Sequence, residues 1–183
     1  THSAKELAAL MVPGWNLGNT FEAGDAANNF TNQGGLSSET AWQATKTTQK
    51  VIDEVKKQGF KSVRLPISWV MGHLTDKAKM SIDEAWMARV KEVVNYCLAD
   101  GLYVIINDHW DGGWLEIDGF SRSRDNFQVV DEATITEKTK QLKALWTNIA
   151  QAFKDYDEHV VFAGLNEPFQ EYKLFNGHHQ ELT

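Results

Sequence analysis

Apolar positions along this chain keep two rhythms in turn: helical stripes spaced three and four apart, and short runs that are apolar throughout. A short helix is predicted over Ser3 to Met11. The run from Gly14 to Asn19 reads as a first strand, over residues 13–18, ending in a loop rich in Gly, Asn and Ala from Thr20 to Leu36. Ser37 or Ser38 is suited to cap a helix over 38–57, with Glu39 in its first turn, a stripe of Val51, Ile52 and Val55, and Gly59 closing it. Residues 62–67 read as a second strand. From Asp83 or Ser81, the spacing of Trp86, Val90, Val93, Val94 and Cys97 predicts a helix over 83–100 that Gly101 ends. Residues 102–107 are apolar as far as Asn107 and predict a third strand, buried on both faces. A long loop from Asp108 to Glu132 follows. Leu142, Leu145, Trp146, Ile149 and Phe153 then mark a helix over 134–156, and residues 160–165 predict a fourth strand.

Strands that alternate with helices in this way run parallel and are joined by right-handed crossovers. Two architectures satisfy the pattern, a doubly wound open sheet and a (β/α) barrel. A complete barrel has eight strands and about 250 residues. This chain has 183 residues and offers four strands, which does not match a complete barrel.

Composition narrows the function. With 42% hydrophobic and 23% charged residues and three prolines, the chain has the make-up of a globular domain, which sets aside disordered, collagen-like and coiled-coil readings. A formal charge of −7 offers no footprint for nucleic acid or an anionic membrane, and no apolar run approaches the roughly 20 residues of a membrane span. The chain opens on Thr1 without a methionine or a charged-then-apolar leader, as expected of a processed or shortened chain. Cys97 is the single cysteine, within a helical stripe, and reads as a buried, inert thiol. Seven tryptophans stand out, because indole rings stack on the C–H faces of sugars as readily as they fill cores.

In either architecture a site lies at the C-terminal ends of the strands, and there the chain places its polar groups. Strand one ends in Asn16 and Asn19; strand two carries Arg64, followed by Ser68 and Trp69. Strand three ends in Asn107, Asp108 and His109, and strand four in Asn166, Glu167 and Pro168. Charged groups do not sit on apolar strands unless something pairs with them or uses them. A carboxyl at an apolar rim is partly desolvated, which raises its pKa toward that of a general acid, and Glu167 is the candidate. Asn166 offers an amide for a sugar hydroxyl, Arg64 a fork that holds a carboxylate, and His109 a donor. The alternative for Glu167 and Arg64 is a buried ion pair with no catalytic role.

The segments from Gly14 to Phe21, Val63 to Trp69, Val104 to Trp114 and Leu165 to Pro168 resemble, in this order, the successive signatures of glycoside hydrolase family 5. The resemblance implies a (β/α)8 TIM barrel of which this chain is the N-terminal half. It implies a secreted endoglucanase that cleaves β-1,4 bonds of cellulose or related β-glucans with retention, needing no metal or cofactor. In its terms Glu167 takes the place of the general acid/base and Asn166 that of the neighbour touching the sugar 2-hydroxyl. Arg64 resembles the arginine that positions the nucleophile, and His109 the histidine of strand three. Retaining hydrolysis needs a second carboxyl about 5–5.5 Å from the first. Candidate substrate-binding residues are Trp110, Trp114, Asn19 and Trp69, with packing as the alternative for each tryptophan; the loop acids Glu22 and Asp111 are the weaker candidates for substrate contact.

Two departures stand out. Where the resembling subgroup carries two histidines, this chain has His109 and Trp110, which trades a hydrogen bond for a stacking face. The nucleophile of the family would follow residue 183. A half-barrel leaves unpaired edges and an open inner face, lined on this reading by Val104 and Ile106. A homodimer or a missing C-terminal half is therefore expected to complete it, with a non-catalytic glycan-binding half-barrel or an inactive truncated fragment as the alternative. Trp86 and Trp146 fall on helix stripes and read as core, His178 and His179 as solvated, Asn29 to Thr31 as a sequon in form, and His73 has no evident partner.

Overall fold

The computed structural model describes residues 2–24, 34–115 and 132–166. Glu167, His178, His179 and the sequon at Asn29 lie outside the described residues. Four strands form one sheet: β1 (Gly14–Asn16), β2 (Ser62–Leu65), β5 (Tyr103–Asn107) and β6 (Val160–Ala163). Their order is β1-β2-β5-β6 and every pairing is parallel, as the alternating rhythm predicts. Between β2 and the next helix lies a small antiparallel hairpin, β3 (Leu74–Asp76) and β4 (Ser81–Ile82), which the sequence reading left as a connection. Runs of two and three residues are too short to carry a period.

Among the described residues, four α-helices accompany the strands. α1 (Ala4–Leu10) is closed by a capping box, Ser3 accepting from the Glu6 N–H while Glu6 accepts from the Ser3 N–H. α3 (Glu84–Ala99) starts at Asp83, whose Oδ1 accepts from the Trp86 N–H at 2.8 Å. It buries Trp86, Val90, Val93, Val94 and Cys97 completely, the stripe read from the sequence. Each such aliphatic side chain withdrawn from water stabilises the fold by about 1.5–3 kcal/mol. Burial also pushes the Cys97 thiol up to about 12, so it stays protonated and inert. α4 (Glu132–Ala152) buries Ile135, Leu142, Leu145 and Ile149. Trp146 is half-buried, and its indole N–H donates to the Gly164 carbonyl at 3.0 Å.

The helix expected over 38–57 is two elements, a 3-10 turn at Leu36–Thr40 and α2 (Gln49–Lys57). What interrupts it is Glu39. Its side chain is fully buried and accepts from Arg89 Nε (2.8 Å) and Nη2 (2.7 Å) and from the Thr47 N–H (3.0 Å). Arg89 Nη2 also donates to the Thr47 carbonyl at 2.7 Å. The backbone over 41–48 folds around this ion pair, and a continuous helix would carry Glu39 away from it. α2 buries Ile52 and Val55 but leaves Val51 exposed, and Gly59, at φ 94°, takes the left-handed turn that ends it.

Residues paired across a parallel sheet point to the same face. Val63, Leu65, Val104 and Ile106 are fully buried in the core shared with α2, α3 and α4. Val104 and Ile106 therefore face the helices, one residue out of phase with the expectation that they line the inner face. That inner face carries Asn16, Arg64, Tyr103, Ile105, Asn107, Val161 and Ala163.

Candidate functional site

Because all four strands are parallel, their C-terminal ends meet at one edge of the sheet, and there the polar residues gather. Pro66 ends β2 and has no N–H to donate. The next N–H, of Ile67, goes instead to Asn107 Oδ1 at 3.0 Å, and the Ile67 carbonyl accepts from the His109 N–H at 3.0 Å. The Ser68 N–H reaches the Phe21 carbonyl at 3.0 Å. These bonds extend the sheet into its loops and fix the mouth.

Arg64 lies half-buried on the inner face. Its Nη1 donates to Asn16 Oδ1 at 2.9 Å and its Nη2 to Asn166 Oδ1 at 2.5 Å. One guanidinium thus ties the end of β1 to the segment after β6, across the intervening β5. Among the described residues this is how Arg64, Asn16 and Asn166 come together. Glu167, the next residue after Asn166, lies outside the described residues.

Asn107 is completely buried and sets the histidine beside it. Its Oδ1 is taken by Ile67, so its Nδ2 faces His109 Nδ1 at 3.2 Å and can only donate to it. That places the histidine proton on Nε2, as a hydrogen-bond donor on the half-buried ring. The role of Asn107 was not read from the sequence; the signal was an amide one position from the end of an apolar strand, two residues before a histidine.

The loop after β5 carries two buried acids. Asp111 sits in the left-handed region at φ 53°, and Gly112 and Gly113 continue the turn at 71° and 70°. Its Oδ2 accepts from the N–H groups of Trp69 (2.9 Å) and Val70 (2.7 Å), and its Oδ1 from that of Met71 (2.7 Å). Asp111 is 1% exposed, so it binds the loop after β2 instead of substrate, which corrects its reading as a substrate-touching acid. Asp108 is fully buried, and its Oδ2 accepts from the Trp114 indole at 3.1 Å. Burial, and then the neighbouring Asp111 charge, push the Asp108 carboxyl well above the ordinary carboxylate range. Burial raises Asp111 too, while Asp108 and the three backbone N–H groups act in the opposite direction on it.

The tryptophans separate. Trp69 is completely buried and its indole N–H donates to the Asn107 carbonyl at 2.8 Å. It has no face for a sugar, and its reading as a substrate-binding residue is corrected to packing. Trp110 is 37% exposed beside the mouth. Trp114 is half-buried, with the Lys138 ammonium 5.7 Å from its ring centre and its carbonyl accepting from the same ammonium. Asn19 is exposed at the end of the β1 loop at φ 51°, a conformation asparagine tolerates, and its N–H donates to Glu22 Oε1 at 2.6 Å. Glu22 also accepts from the Thr20 N–H at 3.0 Å, so its carboxylate is engaged within its own turn. His73 has partners after all: its Nε2 lies 3.2 Å from Ser38 Oγ and its ring stacks on Trp86 at 3.7 Å between centres. Among the described residues no group of three or more His, Cys, Asp or Glu side chains is arranged to hold a metal ion.

Comparison with known proteins bears on this arrangement. Residues 24–181 match the family model described as cellulase (glycosyl hydrolase family 5). Endoglucanase A of Clostridium longisporum is 45% identical over 166 residues, which is 91% of this chain and 29% of that protein. Endoglucanase A of Ruminococcus albus is 42% identical over 166 residues, 91% of this chain and 40% of the other. A crystal structure of a xyloglucan-specific β-1,4-glucanase from a ruminal metagenomic library superposes with a TM-score of 0.81 at 59% identity, over all of this chain and 44% of that one. The chain spans less than half the length of each of these relatives.

Proposed function

This chain belongs to glycosyl hydrolase family 5, the cellulase family, and from that premise we propose that it supplies the acid/base half of an endo-β-1,4-glucanase site. The observation that carries the reading is the Arg64 fork, which holds Asn166, the residue before Glu167, at the mouth of the sheet. On this reading Glu167 protonates the leaving glycosidic oxygen and then deprotonates the attacking water. Asn166 contacts the sugar 2-hydroxyl, His109 donates from Nε2, and the exposed Trp110 ring is a stacking face for a glucosyl unit.

The four strands are one half of a (β/α)8 barrel. The nucleophile and the remaining strands belong to the other half, which further residues of a longer chain or a second copy of this one would provide. The length of the relatives supports the first source. The substrate is a β-1,4-glucan backbone, and the 59% identity to a xyloglucan-specific enzyme favours a substituted one. An enzyme acting on such polymers works outside the cell, so we place it among secreted proteins. The test is reducing-end release from barley β-glucan, carboxymethyl-cellulose and tamarind xyloglucan, with Glu167→Gln as control. Release from any of them that the Gln variant abolishes supports the reading. Binding of these glucans without release supports the alternative, a glycan-binding half-barrel.

A further inference from the structure

Asp108 and Asp111 do more than fill a loop. A carboxylate that accepts three backbone N–H groups from consecutive residues is an acceptor only, and Asp111 is in that position with Trp69, Val70 and Met71. Asp108 stands three residues before Asp111 in the same turn, and among the described residues its buried Oδ1 has no hydrogen-bond partner; after burial itself, the Asp111 charge is what raises its carboxyl. Two buried charges so close would repel, whereas a proton on Asp108 gives that oxygen a bond to make and Asp111 a fourth donor. The second oxygen of Asp108 holds the Trp114 indole. The turn seats directly on the loop after β2, where a Cβ added at Gly112 would lie 3.1 Å from Met71 Cγ and Sδ.

We propose that Asp108 and Asp111 form a proton-sharing clasp, Asp111 charged and Asp108 neutral, that positions the aromatic wall of the glucan cleft. Asp111 fixes the loop after β2 against the loop after β5, Asp108 fixes Trp114, and Trp110 between them is held at the mouth. Both are positioning residues. Among the described residues, the charged or titratable groups named around the pair are the two acids themselves, His109 next in the chain, and Lys138 from α4 over the Trp114 ring. The backbone groups of residues 69–71 add no charge. The effect on sugar binding rests on the function proposed above; the clasp itself does not.

The two acids then respond differently to the same change. Asp108→Asn replaces a neutral carboxyl by a neutral amide, which still accepts from Trp114 and donates to Asp111. Asp111→Asn puts an NH2 group against backbone N–H donors. The experiment is hydrogen exchange of the Trp69, Val70 and Met71 amides and the Trp114 indole in this chain, together with its affinity for a cello-oligosaccharide. Asp108→Asn should keep the protection and the affinity. Asp111→Asn should lose protection at residues 69–71 and weaken the sugar roughly tenfold. Equal behaviour of the two variants, or loss with Asp108→Asn alone, would overturn the proposal. If the wild-type chain binds no cello-oligosaccharide, the functional reading of the cleft fails, and the exchange pattern still decides whether the clasp exists.

Discussion

Arg64 Nη2 donates to Asn166 Oδ1 at 2.5 Å, joining β2 to the segment after β6 although β5 lies between them. The same guanidinium holds Asn16 at 2.9 Å through its other terminal nitrogen. A planar fork with two outward nitrogens serves both amides at once, and a lysine ammonium on a flexible stem does not.

Arg64→Lys therefore keeps the charge and loses one of the two amides. Hydrogen bonds from a charged group are each worth about 1.5–3 kcal/mol, which corresponds to roughly a 10- to 100-fold loss. Because that bond lies within the protein, its loss should lower the thermal midpoint by several degrees, and kcat/KM on β-glucan should fall by up to that factor through the displaced Asn166. Full activity in the lysine variant would mean that the fork does not position Asn166.

The Glu39–Arg89 pair predicts a stability effect far from the mouth. Removing Glu39 leaves Arg89 with the exposed Glu92 carboxylate at 2.7 Å and the Thr47 carbonyl, and leaves the Thr47 N–H without its acceptor, so the cost falls below that of a fully uncompensated buried charge, about 3–5 kcal/mol. Glu39→Ala should lower the unfolding free energy from urea titration by about 1–3 kcal/mol, the cost of buried polar groups left unsatisfied. Changing both residues to apolar ones of similar volume should recover much of it. A Glu39→Ala variant as stable as the wild type would show that the pair does not organise residues 41–48.

His73 makes stability depend on pH. Burial lowers its pKa from 6.5 to about 4, opposed by the Asp83 charge. Between those values the unfolded chain binds a proton that the folded chain does not, so stability is complete above pH 6.5 and is lost as pH falls toward 4. The loss is roughly 3 kcal/mol at 1.36 kcal/mol per unit. Asp108 has the opposite slope, because its raised pKa makes the folded state bind the extra proton. The clean measurement is thus the difference between wild type and His73→Phe, which keeps an aromatic ring against Trp86. That difference should shift against the wild type as pH falls from 6.5 to 4; parallel curves would refute it.

Much of this fold was readable because parallel strands and buried helix stripes leave strong periods. Trp86, Val90, Val93, Val94 and Cys97 fall on one face by spacing alone, and the structure buries all five. What failed turned on single polar contacts that carry no period. Glu39 looked like a first-turn helix acid until Arg89, 50 residues on, drew it inward. Val104 and Ile106 were assigned to the wrong face because β5 is apolar on both, so no alternation set its phase. At the mouth, Arg64 and Asn166 do meet, as their strand-end positions implied, whereas Trp69 does not present a face. Composition marks an indole as useful to a sugar, but only packing decides whether it is reachable.

The sheet also predicts association. Among the described residues β1 and β6 each have one unpaired edge, and Ile105 and Val161 lie half-buried on the inner face. Such edges and apolar positions favour further pairing. Light scattering of this chain at micromolar concentration should give a mass above one copy. A monomer with a cooperative melt would contradict this expectation.

The central claim is that Glu167 acts as the acid/base at this mouth, and the most direct measurement compares two substrates in the protein with its barrel complete. Cleavage of barley β-glucan needs a proton on the leaving sugar oxygen, whereas dinitrophenyl β-cellobioside releases a phenolate that needs none. Glu167→Gln should reduce kcat on the glucan by about 10²–10⁴-fold, while the first release of dinitrophenolate stays near the wild-type rate. Equal losses on both substrates, or no loss on the glucan, would contradict the assignment.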